Sequence, residues 1–194
     1  MKKVIHNKVA MTAYIIDKDR QYSMATFAGG CFWCMQPPFD AEPGVVETIV
    51  GYTGGQLESP TYEQVSAGGS GHLESIRIIY NQAVVGYGRL LEIFWDNIDP
   101  RDPDGQFCDK GSQYRSAIFY HNEEQKKLAE ASKRQIESRG SLTGSIATEI
   151  ASASSFYPAE DYHQTYYKKN PLRYKFYRRA CRRDKRLAEL WESN

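Results

Sequence analysis

The stretch M-A-T-F-A-G-G-C-F-W-C, Met24 to Cys34, decides how the chain is read. Its first half is a short strand-like run, and the paired Gly29 and Gly30 then let the backbone turn sharply. From Cys31 onward, C-F-W-C-M-Q-P-P-F-D-A-E reads as the start of a helix, kept short or distorted by Pro37 and Pro38. A strand that turns through glycine into a helix sets Cys31 against unpaired backbone N–H groups and the positive end of the helix dipole. Both favour the thiolate, so the Cys31 pKa is expected below the roughly 8.5 of a free thiol. Cys34 lies one turn further on, within reach for a disulfide.

Working outward, V-V-E-T-I-V-G-Y-T-G-G from Val45 and L-E-S-I-R-I-I-Y from Leu73 read as strands. Residues 87–98 fit an amphipathic helix, with Leu90, Leu91, Phe94, Trp95 and Ile98 on one face. R-S-A-I-F-Y-H from Arg115 is a further strand. A helix follows, with Asn122 and Gln125 as a capping pair and Gly140 as its stop. S-I-A-T-E-I-A-S from Ser145 reads as one more strand, and the remainder as mixed helix and loop. Strands alternating with helices argue for an α/β or α+β sandwich. Residues 1–22 are polar and aperiodic and read as a loosely attached arm, with 23–194 as a single catalytic domain that includes a basic, helical C-terminal tail.

A chain of 194 residues suits one domain with a real core. A net charge of +1 gives no global pull toward nucleic acid or membrane. No apolar run is long enough for a signal peptide or a spanning helix, so the expected location is cytoplasmic. Stable disulfides are unusual there, and the four cysteines, Cys31, Cys34, Cys108 and Cys181, are expected to serve redox, catalytic or metal chemistry.

Three readings of Cys31 and Cys34 stand side by side: two small buried hydrophobes, half of a metal site, or a redox or nucleophilic centre. The metal reading lacks a second pair, because Cys108 and Cys181 are single residues far apart with no neighbouring His. Phe32 and Trp33 between the cysteines favour a substrate with a small apolar group. Glu74 heads the face shared by Ile76, Ile78 and Tyr80; there it is either a desolvated carboxylate of raised pKa or a group at the strand's exposed mouth. Asp109, Tyr114 and Arg115 sit in a turn-rich loop at a strand entrance. His163, beside Glu160 and Asp161, matches no metal-ligand spacing and is as readily structural as functional. The tail from Lys168 to Arg186 carries ten Lys or Arg against one Asp, which reads as a solvated helix surface before it reads as an RNA-binding face. Its arginines would favour a thiolate at Cys181.

The motifs GCFWC, GYTGG, PTYEQV, SGHLE, FCDKGSQYRSAIFY, IATEI and FYPAEDYHQ occur in the order found in the A-type peptide methionine sulfoxide reductases, which the chain resembles from about Phe27 to at least Asn170. The resemblance implies a two-layer α/β sandwich with a ferredoxin-like core. It implies Cys31 as nucleophile, Phe32 and Trp33 as walls of the methyl pocket, and Glu74 as proton donor. Tyr62 and Tyr114 would hydrogen-bond the sulfoxide oxygen, with Asp109 supporting them. It further implies reduction of the S epimer of methionine sulfoxide, free or in oxidised proteins. The route runs through a sulfenic acid and a disulfide that thioredoxin, or dithiothreitol in vitro, reduces. No metal, organic cofactor, nucleic acid or membrane is implied.

The chain departs from one common pattern of that family, in which glycine follows GCFW and the resolving cysteines lie in a Gly-rich tail. Cys34 therefore ranks first as resolving cysteine, Cys181 second, either as resolver or as the thiol that passes electrons to thioredoxin, and Cys108 last, as a buried packing residue. The alternative activity is general CxxC thiol–disulfide exchange, which would need neither Glu74 nor a sulfoxide.

Overall fold

The computed structural model describes residues 21–139 and 144–191. Strand β1 (Tyr22–Gly29) runs into helix α1 (Phe32–Asp40), then β2 (Val45–Thr53), the single-turn α2 (Tyr62–Ser66) and β3 (Leu73–Asn81). Helix α3 (Tyr87–Asp96) leads to the two-residue strands β4 (Gly105–Gln106) and β5 (Asp109–Lys110), a 3₁₀ turn at Ser112–Tyr114 and β6 (Ser116–Tyr120). After α4 (Glu123–Ser138) come β7 (Glu149–Ser152), β8 (Tyr157–Pro158), α5 (Tyr166–Lys169), α6 (Pro171–Ala180) and α7 (Arg183–Trp191).

The main sheet has the order β7-β6-β1-β3-β2-β8. Its pairs are antiparallel except β6 with β7. Its inner four strands, β6-β1-β3-β2, with α1 crossing from β1 to β2 and α3 from β3 to β6, form the expected ferredoxin-like core. Alternation along the strands explains the layering. Phe27, Val50, Ile76, Ile78 and Ile118 point to one face and pack with Phe39 of α1 and Leu90 and Phe94 of α3. Ala28, Leu73, Ala117 and Phe119 form a smaller cluster on the other. The five positions expected on the buried face of α3 and its end, Leu90, Leu91, Phe94, Trp95 and Ile98, are all buried.

Several expectations need adjusting. Most of the N-terminal arm, residues 1–20, and the Gly140 stop lie outside the described residues, but Tyr22 already belongs to β1 and not to the arm. Asn122 caps α4 by accepting from the Gln125 amide at 2.9 Å, yet the Gln125 side chain turns to the His121 amide at 2.9 Å instead of closing the box. Strand β8 is too short to show a pattern in sequence.

The basic tail is only partly a solvated surface. Arg183 is fully buried: its Nη2 donates to the Gly29 carbonyl at 2.9 Å and the Asn97 carbonyl at 2.6 Å, and its guanidinium lies over the Phe107 ring at 4.4 Å. Helix α7 is thus pinned against the glycine turn that ends β1.

Candidate active site

The β1–α1 turn needs its glycines. Gly30 has φ +78°, and a Cβ there would lie 2.5 Å from Gln106 Cβ; one on Gly29 would lie 2.7 Å from the end of Met35. This close approach delivers Cys31 to the N-cap of α1, with the Cys34 amide bonded to the Cys31 carbonyl at 3.0 Å. Both cysteines are buried free thiols.

Glu74 is 2% exposed, so it is not at an exposed strand mouth. Burial pushes its pKa up to about 8, against the opposing Phe32 amide, which donates to Oε2 at 3.1 Å. The carboxyl is therefore largely protonated at neutral pH and sits one hydrogen bond from the residue after Cys31.

The expectation of an acidified Cys31 is reversed. Burial raises its pKa well above the ordinary thiol value. The hydrogen bond to Cys34 and the charges of Cys34, Glu74 and Asp109 add to the rise. Cys34 is the acidic member, lowered to about 6 by the hydrogen bond from Cys31, against its own burial, with Arg183 and Arg178 adding positive charge. The tail arginines thus acidify Cys34 and not Cys181. The helix start fails to acidify Cys31 because burial of the thiol outweighs it.

Phe32, Trp33 and Tyr62 converge on His163. The imidazole centroid is 5.0 Å from the Phe32 ring and 4.5 Å from the Tyr62 ring, and Trp33 Nε1 donates to His163 Nδ1 at 3.0 Å. The Trp33 indole also stacks on Tyr166 at 3.8 Å and meets Tyr177 edge-on at 5.8 Å. Burial lowers the pKa of His163, and the neutral ring accepts from the indole N–H. His163 and Glu160 are the residues that sequence reasoning left undecided. Glu160 accepts from Tyr52 Oη and from the Tyr62 amide, both at 2.9 Å, and so fixes the start of α2.

Tyr62 opens α2 behind its Thr61 cap, and Tyr114 closes the 3₁₀ turn before β6. Burial raises the pKa of Tyr62 to about 12, and that of Tyr114 rises for the same reason; Glu74 and Cys31 add to both shifts, which places the two phenols electrostatically within the same site. Both remain neutral donors at physiological pH. Asp109 acts on them through charge, while it accepts a hydrogen bond from Tyr177 Oη at 2.5 Å. Tyr177, Arg178 and Arg183 were missed in sequence: nothing in a basic, aromatic-rich tail tells which of its residues turn inward.

Cys108 is not a buried packing residue. It is exposed and forms a disulfide with Cys181 across 73 residues, against the expectation of no stable disulfide. Together with Asp109 these sulfurs are close enough for a metal site, but the disulfide occupies both.

Among the described residues no helix is long and apolar enough to cross a membrane. Residues 23–194 match the family profile described as "Peptide methionine sulfoxide reductase". A relative from Bacillus subtilis, "Peptide methionine sulfoxide reductase MsrA", is 52% identical over 168 residues, 87% of this chain and 95% of that protein. Among solved structures, reduced Mxr1 from Saccharomyces cerevisiae is 31% identical with a TM-score of 0.72, covering 79% of this chain and 88% of its own. Mxr1 in complex with Trx2 is similar in fold, at 24% identity and a TM-score of 0.51 over 77% of this chain and 87% of that one.

Proposed function

The chain belongs to the peptide methionine sulfoxide reductase family, and from that premise we propose how its own residues reduce methionine S-sulfoxide, free and in oxidised proteins. Phe32 and Trp33 receive the S-methyl group, and the hydroxyls of Tyr62 and Tyr114 donate to the sulfoxide oxygen. Cys31 passes its proton across the shared hydrogen bond to the Cys34 thiolate as its sulfur attacks the sulfoxide sulfur. Glu74 gives its proton to the departing oxygen. Methionine leaves, Cys31 carries a sulfenic acid and Glu74 a carboxylate.

Cys34 then attacks the Cys31 sulfur. Its proton and the hydroxyl leave as water, and a Cys31–Cys34 disulfide remains. A dithiol, thioredoxin in a cytoplasm that keeps thiols reduced, restores both cysteines, and one of the two protons regained returns to Glu74. The scheme uses no metal or organic cofactor.

The observation that carries this reading is Glu74, a carboxyl buried to 2% exposure and held protonated near neutral pH beside Cys31. General thiol–disulfide exchange has no use for it. The test is reduction of separated R and S epimers of a blocked methionine sulfoxide with dithiothreitol. Wild type should reduce only the S epimer and Cys31→Ser neither. A folded wild type that reduces no sulfoxide but does reduce disulfides would replace this reading with thiol–disulfide exchange.

A further inference from the structure

Cys31 has a deficit that the scheme above leaves open. Its sulfur must carry negative charge during attack, yet the Phe32 amide is committed to Glu74, and Arg183 and Arg178 lie on the Cys34 side. A hydroxyl near Cys31, on the tail side of the site, is that of Tyr177. This residue sits on α6, in the tail that is basic here and glycine-rich in the common family pattern. Its ring meets Trp33, two residues after Cys31, edge-on at 5.8 Å; its Oη donates to Asp109 Oδ2, and Cys31 is near enough to add to the rise of its pKa.

We propose that Tyr177 is a further catalytic residue, whose hydroxyl alternates between Asp109 and the Cys31 sulfur, and that the Cys108–Cys181 disulfide keeps it in the site. A phenol has one O–H to donate. While Cys31 is a thiol, the Asp109 carboxylate is the better acceptor. When the Cys31 proton moves to Cys34, the sulfur carries the charge and the O–H turns to it. Burial raises the Tyr177 pKa, and Cys31 and Asp109 add to the rise, so the phenol keeps its proton at working pH.

The tie follows from connectivity. Cys181 caps α6 four residues after Tyr177, and Cys108 precedes Asp109. The disulfide and the Tyr177–Asp109 hydrogen bond therefore join the same two segments, and Asp109 Oδ2 lies 4.0 Å from Cys181 Sγ. Without the disulfide, the hydroxyl is held by α6 packing and one hydrogen bond.

The inference rests on Cys31 as nucleophile, so Cys31→Ser is assayed alongside. Tyr177→Phe removes one oxygen and keeps the ring against Trp33. Its single-turnover rate of S-sulfoxide reduction should fall about 10- to 100-fold, the worth of a hydrogen bond to a charged group. Half-saturation by substrate should stay near wild type. The pH midpoint for peptide-mapped labelling of Cys31 by iodoacetamide should rise by about one to two units, the same fold-change expressed as pKa, a readout that loss of packing alone does not move. The Cys108→Ser, Cys181→Ser double variant should lie between wild type and Tyr177→Phe in both readouts, and serves alone if Tyr177→Phe does not fold. An inactive Cys31→Ser beside a Tyr177→Phe with wild-type rate and midpoint overturns the role of Tyr177. A double variant identical to wild type overturns the tie. An active Cys31→Ser overturns the nucleophile itself.

Discussion

Cys31 and Cys34 share one helical turn, both buried and both free thiols, whereas Cys108 and Cys181 are 73 residues apart and bonded to each other. The first pair is made by local backbone. A glycine turn that tolerates no side chain places Cys31 at the cap, and 3.6-residue periodicity brings Cys34 to it. The second pair exists only after α6 and α7 have folded back over the β4–β5 hairpin. Burial and unequal neighbours then divide the labour within the first pair: Cys34 holds the charge and Cys31 the proton. In the proposed scheme, the second pair touches the chemistry only through what it braces, the Asp109 and Tyr177 side chains. Proximity in sequence, in that scheme, marks the reacting thiols, and distance in sequence marks a structural tie.

The sharpest way to stress this division is to remove the proton donor beside the local pair. Glu74→Gln should slow the single-turnover step by about 10²- to 10⁴-fold, the usual weight of general acid catalysis. The wild-type rate should fall as pH rises through about 8, where the buried carboxyl ionises, and the variant should lose that limb. The same shift sets a stability signature. Above pH 4.5 the unfolded chain releases this proton while the folded one keeps it up to about 8, so the Glu74 contribution to stability declines across that window. At pH 9 Glu74→Gln should be more stable than wild type, by on the order of 5 kcal/mol at most, read by urea titration. A variant no more stable at pH 9 would mean that Glu74 is not held protonated.

Cys34→Ser probes the other half of the local pair. It should release one equivalent of methionine, more slowly than wild type because the Cys31 proton has lost its acceptor, and then stall as the Cys31 sulfenic acid, trapped by dimedone and seen by mass; sustained turnover with thioredoxin would remove Cys34 as resolver. The distant pair should answer differently. Cys108→Ser with Cys181→Ser should lower unfolding stability by about 2–4 kcal/mol, the range for a disulfide closing a long loop, and still complete catalytic cycles with thioredoxin. Loss of cycling with unchanged stability would make this pair a redox relay and erase the contrast.

The fold was readable wherever periodicity was long. The glycine turn, the strands at Val45 and Leu73 and the apolar face of α3 follow directly from pattern; the pattern also puts Glu74 at the head of an apolar face, but only the structure shows it buried. The two-residue strands were not readable, because such lengths hold no period. Tyr177 and Arg183 escaped for a different reason. Both lie in a tail whose composition signals solvent, and their burial depends on how α6 and α7 dock. The acidity of Cys34 escaped because it depends on a hydrogen bond from Cys31 and on the charges of Arg183 and Arg178, which only the docked tail brings near.

The most direct measurement is a disulfide map after one turnover. Fully reduced protein is mixed with one equivalent of methionine S-sulfoxide, quenched with acid, alkylated and digested. The account predicts a new Cys31–Cys34 bond, with Cys108 and Cys181 recovered as alkylated thiols. A Cys31–Cys181 bond would contradict it and make the distant pair, not the local one, the seat of the second redox step.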